Sequence, residues 1–327
     1  MPDLSVSYMG LKLKNPVIVS SSSLTQTLDG IKRCADGGAS AVVLKSLFEE
    51  QIGSETLELE ELSELYAHPE AMDYVKQMGM RLGPRDYLKL IEDAKKALDI
   101  PVIASLNCIS PKWWSNYAKE IEVAGADALE LNIAVMPKML GESSEKVEKL
   151  YVSIVNGIRK DINLPIAVKI GPYFTVLTGV AEKLKEAGAD ALVLFNRFYQ
   201  LDIDINTLLL KPGYRFSSPA EINLPLRWAA ILYDQIGCDM SASTGVHDGE
   251  GAVKMLLAGV NAVQVCSTLY LNGIEQIARI LESVENWMKE KNFSKIDDFR
   301  GKMSQAESKE PEYYERLQYI KALVGIE

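Results

Sequence analysis

The chain has 327 residues, 47% of them hydrophobic and 24% charged, with a net charge of −10. This is the balance of a globular protein with a large core, and the negative charge argues against a partner bound through its phosphate backbone, so nucleic acid is not expected. Cys34, Cys108, Cys238 and Cys266 form no C-x-x-C pair, which disfavours a metal site or iron–sulfur cluster and suits buried thiols in a reducing compartment. No apolar run approaches the ~18 residues of a membrane span and no signal peptide precedes Leu4, so a cytoplasmic protein without a membrane partner is expected.

Residues Leu4 to Lys14 alternate apolar and polar around Met9-Gly10 and predict a small hairpin. Pro16-Val-Ile-Val-Ser-Ser21 then reads as a short buried strand ending in polar residues. The same grammar returns at Pro101-Val-Ile-Ala-Ser-Leu-Asn107 and Pro165-Ile-Ala-Val-Lys169, which breaks at Gly171-Pro172, and more loosely at Asp239-Met-Ser-Ala-Ser-Thr-Gly245. A second kind of segment alternates with the first, beginning at Gly38-Ala-Ser, Gly125-Ala-Asp, Gly188-Ala-Asp and Gly259-Val-Asn. In each, the glycine can cap the preceding helix in the left-handed conformation, and a strand follows.

Helices are predicted at about Arg85 to Leu98, Lys112 to Ala124, Ser144 to Lys160 and Ile274 to Lys289, with Thr25 capping the first helix and Asp248-Gly249 opening the one after strand 7. Four strands of one kind interleaved with four of the other predict an α/β fold, the (β/α)8 TIM barrel, as a single domain over 1–327. An open doubly wound sheet is the alternative, but the eight units run nearly to the end with no second composition zone. The hairpin would plug the barrel floor, and the tail from about 293 to 327 would pack outside.

Two insertions interrupt the pattern. After strand 2, Glu49 to Glu64 holds seven glutamates and no Lys or Arg. It is longer than a usual βα loop, and reads either as a solvated helix face or as a lid over the mouth. After strand 6, residues Phe198 to Leu224 form the second insertion.

Barrel active sites lie at the carboxyl ends of the strands. Ser20, Ser21, Lys45, Ser46, Asn107, Asn132, Lys169, Asn196, Thr244, Gly245 and Ser267 sit there. Buried lysines are costly unless paired, so either could bridge a glutamate such as Glu130, and the asparagines could be turn formers. The ends of strands 7 and 8 are small and polar, as in barrels that bind a phosphate on backbone N–H groups. Lys169 would then lie nearer the ring end of such a ligand and could stabilise developing negative charge. These residues predict a phosphate-bearing cofactor without naming it. His68 and His247 are expected at surface or turn positions.

Glu130-Leu-Asn132, Val168-Lys-Ile-Gly-Pro-Tyr-Phe174, Ser243-Thr-Gly245 and Gln264-Val-Cys-Ser-Thr268 together resemble the soluble FMN-dependent dihydroorotate dehydrogenases and their dihydropyrimidine dehydrogenase relatives. The similarity runs from Lys14-Asn-Pro16 to Ile296-Asp-Asp-Phe-Arg-Gly301. It implies an FMN oxidoreductase, commonly a homodimer, that moves a hydride from a C–C bond to flavin N5 and then passes electrons to an acceptor. By position it implies that Ser20, Ser21 and Ser22 line the flavin, that Lys45, Ser46, Asn107 and Asn132 lie beside its ring, and that Lys169 faces its pyrimidine edge. Thr244, Gly245, Cys266 and Ser267 would hold the phosphate, and Asn132 and Asn196 would contact an orotate-like substrate.

The chain departs from that family where it follows the strand 4 asparagine. The family has a cysteine or serine base there, whereas this segment reads Ile133-Ala-Val-Met-Pro137. Lys138 replaces the asparagine after the proline, and Lys76 or Gln77 stands where another is expected. A general base contributes ~10²–10⁴ in rate. Cys108 is a weak substitute, as are Tyr173 and Ser110. Three readings follow: a dihydroorotate-type oxidoreductase or a relative with another substrate; a flavin-free barrel lyase with a Schiff base on Lys45 or Lys169; and a non-catalytic FMN protein.

Overall fold

The computed structural model describes residues 1–49, 51, 83–110, 114–136, 140–197, 200–213 and 216–315. Most of the acidic run Glu49 to Glu64, His68, the Lys76–Gly79 stretch, Pro137-Lys138 and the end of the tail lie outside the described residues.

The chain opens with an antiparallel hairpin, β1 (Val6–Tyr8) and β2 (Leu11–Leu13), turning at Met9 and Gly10, both with positive φ. The next strands are β3 (Val17–Val19), β4 (Ala41–Val43), the two-residue β5 (Leu47–Phe48), β6 (Val102–Cys108), β7 (Ala128–Ile133), β8 (Ile166–Ile170) and β9 (Ala191–Leu194). A second hairpin, β10 (Gln200–Asp204) and β11 (Leu209–Gly213), precedes β12 (Asp239–Ser243) and β13 (Ala262–Val265). Without the hairpins and β5, eight parallel strands remain. They close because β4 pairs with both β3 and β6 while β13 pairs with β3. The chain is therefore the (β/α)8 barrel the alternating segments predict.

The surrounding helices are α1 (Leu28–Asp36), α2 (Pro84–Ala97), α3 (Trp114–Val123), α4 (Ser144–Arg159), α5 (Leu177–Glu186), α6 (Asn223–Leu232), α7 (Gly249–Ala258), the short α8 (Ser267–Asn272) and α9 (Gln276–Lys291). Asp248 caps α7 as expected. Thr25 does not cap α1: a 3-10 turn intervenes at Ser23–Thr25, and Thr27 accepts from the Gly30 N–H instead. Residues after α9 cross the outside of α6 and α7, where Gly301 and Met303 N–H groups bond Leu256 and Leu257 carbonyls and Phe299 is fully buried. No helix among the described residues is long and apolar enough to cross a membrane.

The recurring Gly-Ala-Asp words have a structural cause. Gly38, Gly125, Gly188 and Gly259 all have φ between 93° and 115°, the left-handed turn out of a helix. Two residues later, the polar side chain serves the start of a neighbouring strand, where an N–H has no ladder partner. The Asp127 carboxylate accepts from Val102 N at 2.7 Å, Asp190 from Ile166 N at 2.8 Å, and the Asn261 carbonyl from Met240 N at 3.1 Å. Lys95 and Arg159 brace the two aspartates from outside at 2.6 and 2.5 Å. In the first unit the Ser40 hydroxyl instead donates to the Val17 carbonyl.

The N-terminal hairpin closes the floor. Tyr8 is fully buried, and its hydroxyl donates to Ser241 Oγ at 3.2 Å inside the barrel, while Met9 N–H donates to Asp239 at 2.7 Å.

Two glycines test backbone against space. A Cβ on Gly259 would stand 2.3 Å from the Tyr233 ring, whereas one on Gly125 would meet only Lys95 Cγ at 3.9 Å. Gly125→Ala is expected to cost about 1–2 kcal/mol from the left-handed backbone alone, and Gly259→Ala about 1–3 kcal/mol more through overpacking. Urea denaturation of the two variants measures the gap; equal losses would contradict the role given to Tyr233.

Candidate active site

The carboxyl ends of the strands surround a cleft of ≈ 360 Å³, within the ~300–1,000 Å³ usual for small-molecule sites. Ser20, Ser21, Ser22, Lys45, Ser46, Asn132, Lys169, Asn196, Thr244, Gly245, Cys266 and Ser267 all line it. Asn107 does not, although its backbone is in register with Asn132. Cys108 ends β6 beside Ile133, and its side chain lies outside the described residues. Phe48, Phe195, Arg197, Ser217, Ser243, Val246 and Gln264 complete the lining and are not among the site residues expected from the sequence.

The serine run after β3 is spent on tying loops together. Ser21 Oγ accepts from Ser46 N at 2.8 Å and lies 3.0 Å from Ser46 Oγ, which reaches Ser105 Oγ at 2.8 Å. Ser22 caps the turn that follows. Ser20 faces the barrel axis and is buried.

The two lysines are held differently. Lys169 is 7% exposed; its ammonium donates to Ser20 Oγ at 3.2 Å and stands 3.7 Å from the fully enclosed Glu130 carboxylate. The bridge to Glu130 weighed from the sequence is therefore present for Lys169. Lys45 donates to Gln26 Oε1 at 3.2 Å, and burial pushes its pKa down from the ordinary lysine value.

The other end of the cleft is built of small groups. Thr244 holds a φ of 89°, unfavourable for a β-branched residue, and its hydroxyl donates to the Phe195 carbonyl at 3.1 Å. Among the described residues, the backbone N–H groups of Gly245, Val246 and Ser267 make no hydrogen bond. Ser217 closes over this end: its N–H donates to Ser267 Oγ at 3.0 Å, and its hydroxyl lies 3.0 Å from His247 Nε2. His247 is thus buried beside the cleft and not at the surface position expected; burial pushes its pKa down, favouring the neutral ring. Phe216 stacks on Tyr270 at 5.1 Å, and Tyr270 in turn bonds Ser23 Oγ at 2.5 Å, so loop 1, after the first barrel strand β3, and loop 6, after the sixth barrel strand β9, meet over α8.

Asn132 presents the clearest vacant hydrogen-bonding capacity. Its Oδ1 is buried without a hydrogen-bond partner among the described residues. The segment after it offers no proton acceptor: Ile133 is fully buried, Val135 N–H donates to the Tyr151 hydroxyl at 3.3 Å, and Met136 faces outward. A second cavity of ≈ 620 Å³ lies against Val135, Met136, Tyr151, Tyr173 and Phe174. Of the other suggested bases, Tyr173 is exposed, and Ser110 gives its N–H and hydroxyl to Glu49, the first residue of the acidic run and a buried one.

A sequence model of the dihydroorotate dehydrogenase family matches residues 3–288. The catalytic subunit of dihydroorotate dehydrogenase B (NAD(+)) of Methanothermobacter thermautotrophicus is 27% identical over 312 residues, covering 91% of this chain and 97% of its own. The corresponding subunit of Methanocella arvoryzae is 29% identical, covering 89% and 95%. A putative dihydroorotate dehydrogenase A (fumarate) of Aeropyrum pernix is 28% identical, covering 92% and 97%.

A buried acceptor kept without a partner lowers stability unless a ligand fills it. Asn132→Leu is expected to leave the thermal midpoint of the ligand-free protein unchanged or raised, by the equivalent of up to ~1 kcal/mol, while abolishing ligand binding in the cleft. A midpoint that drops by several degrees would mean that Oδ1 is already satisfied.

Proposed function

Because the chain belongs to the dihydroorotate dehydrogenase family, we propose that it is an FMN-dependent oxidoreductase acting on a C–C single bond of a small orotate-like substrate. One observation carries this reading: a single cleft joins a buried cation, an unpartnered acceptor and a set of free N–H groups. These fit the parts of FMN. Gly245, Val246 and Ser267 N–H groups, with Thr244 and Cys266, would receive the phosphate. Ser20, Ser21, Ser22, Lys45 and Ser46, with Asn107 behind them, would flank the ring, and Lys169 would face its pyrimidine edge. Asn132 and Asn196 would meet ring or substrate. FMN, when bound, supplies an acceptor for two electrons and a proton equivalent.

The chain's own contribution is then electrostatic and positional. A fixed ammonium in a dry site stabilises developing negative charge more than it would in water. The Ser21–Ser46–Ser105 hydroxyls hold loops 1 and 2 against β6, so the lysine that follows β4 is placed by hydrogen bonds on either side. No residue from Ile133 to Met136 can take a substrate proton. Dihydroorotate itself is therefore expected to be oxidised ~10²–10⁴-fold more slowly than by an enzyme with a base in that segment.

The lowered pKa of Lys45 favours a second reading, a Schiff-base lyase without flavin. A third is an FMN protein that does not turn over. The oxidoreductase reading is also the one under which a homodimer is proposed. Leu201, Ile203 and Leu210 share one face of the second hairpin and are all exposed, as are Ile205 and Leu208 near its tip, an apolar surface of the kind that marks an interface. The free thiols of Cys34, Cys238 and Cys266 support a reducing, cytoplasmic setting.

The purified protein is expected to be yellow, or to quench added FMN stoichiometrically, and to bleach anaerobically with its true substrate but only slowly with dihydroorotate. Failure to take FMN, combined with a borohydride-trapped carbonyl adduct on Lys45, would replace this reading with the lyase. Ile203→Glu is expected to convert a dimer to monomer in sedimentation; a monomeric parent protein would remove the hairpin from the proposal.

A further inference from the structure

Below the cleft, polar side chains from four barrel strands close a ring across the axis. Lys169 on β8 donates to Ser20 Oγ, just after β3, at 3.2 Å; Ser20 donates to Gln264 Oε1 on β13 at 3.1 Å. Gln264 Nε2 donates to Glu130 Oε2 on β7 at 2.6 Å, and Glu130 Oε1 faces the Lys169 ammonium at 3.7 Å. Gln264 also donates to Ser241 Oγ at 3.3 Å, which receives the Tyr8 hydroxyl from the floor. Lys169, Ser20 and Gln264 line the cleft floor, while Glu130, 1% exposed, lies below it, with Tyr8 deeper still.

Glu130 lies two residues before Asn132, on the same face of β7, one layer deeper than the cleft. It does not line the cleft itself. Its Oε1 makes an ion pair too long for a hydrogen bond and has no other partner among the described residues. A buried carboxylate in that state is tolerable only beside a cation. The pairing also fixes the cation: Ser20 and Glu130 hold the ammonium from two directions, and what remains of its donor capacity is available to the cleft.

We propose that Glu130 is a positioning residue that holds the Lys169 ammonium at the cleft floor and sets how much positive charge a bound ring meets. This deepens the FMN reading and rests on it. With the carboxylate in place, the cation's field at the cleft is partly cancelled; with it gone, the field is stronger and the ammonium is less well held.

Two measurements separate this from a purely structural role. In the flavin-free protein, Glu130→Gln and Lys169→Met are each expected to lower the urea midpoint, because each strands a buried partner, while the double variant recovers most of the loss. Additive losses would overturn the coupling. Should Glu130→Gln alone fail to fold, a folded double variant supports the coupling and an unfolded one overturns it. In the FMN-loaded protein, sulfite affinity reports positive charge near the ring. Glu130→Gln is expected to tighten sulfite binding on the order of ten-fold or more.

Coupled stability with unchanged sulfite affinity would make Glu130 a structural partner only and overturn the positioning role. If the protein takes no FMN, the oxidoreductase reading falls, and the urea cycle still decides whether Glu130 and Lys169 act as a pair.

Discussion

A lysine side chain 7% exposed inside a parallel barrel is the most demanding group in this molecule. The interior strands around it are apolar on nearly every other position, and an ammonium placed among them without a counter-charge would cost several kcal/mol. The sequence meets that demand from other strands: a carboxylate on β7, an amide on β13 and a hydroxyl after β3. Among the described residues Lys169 is the one buried lysine, and it lies directly under the cleft, where a fixed positive charge can have chemical use.

The platform that holds this ring is built from a repeated local device. Each of four helices ends in a left-handed glycine, and two residues later a polar side chain engages the start of a neighbouring strand. That device fixes where each strand begins, hence which residue reaches the mouth. Register then follows from the period of two: Glu130 and Asn132 face the axis together, as do Ser241 and Ser243. The lower member of the first pair belongs to the interior ring and the upper member to the cleft.

The same regularity explains what could be read in advance. The eight strands, the floor hairpin and most of the mouth residues were legible because each is announced locally, by a proline, a glycine or a polar residue at the end of an apolar run. Gln264, Ser217, His247 and Glu49 were not, because their roles depend on partners 30 or more residues away. Glu130 had been raised only as a possible salt-bridge partner for a lysine. A local signal did exist for two of them: Ala-Leu-Glu130-Leu and Ala-Val-Gln264-Val each place one polar residue inside a buried strand. Such a residue is either paired across the barrel or is an error of assignment, and here both are paired. Thr25 failed as a cap for a smaller reason, since a 3-10 turn moved the helix start two residues on.

The two sides of the cleft are built on different footings. The proposed cofactor side draws on strand ends and backbone N–H groups fixed by barrel geometry, so it tolerates little change without loss of the fold. The segment after β7 lies outside that framework and packs against α4 through the Tyr151 hydroxyl. Ile133-Ala-Val-Met136 supplies no side-chain proton acceptor there, and it takes no part in the ring of Lys169, Ser20, Gln264 and Glu130. Among the described residues, the ring around Lys169 and the segment after β7 share no hydrogen bond, so residues in that segment can differ without disturbing the held cation.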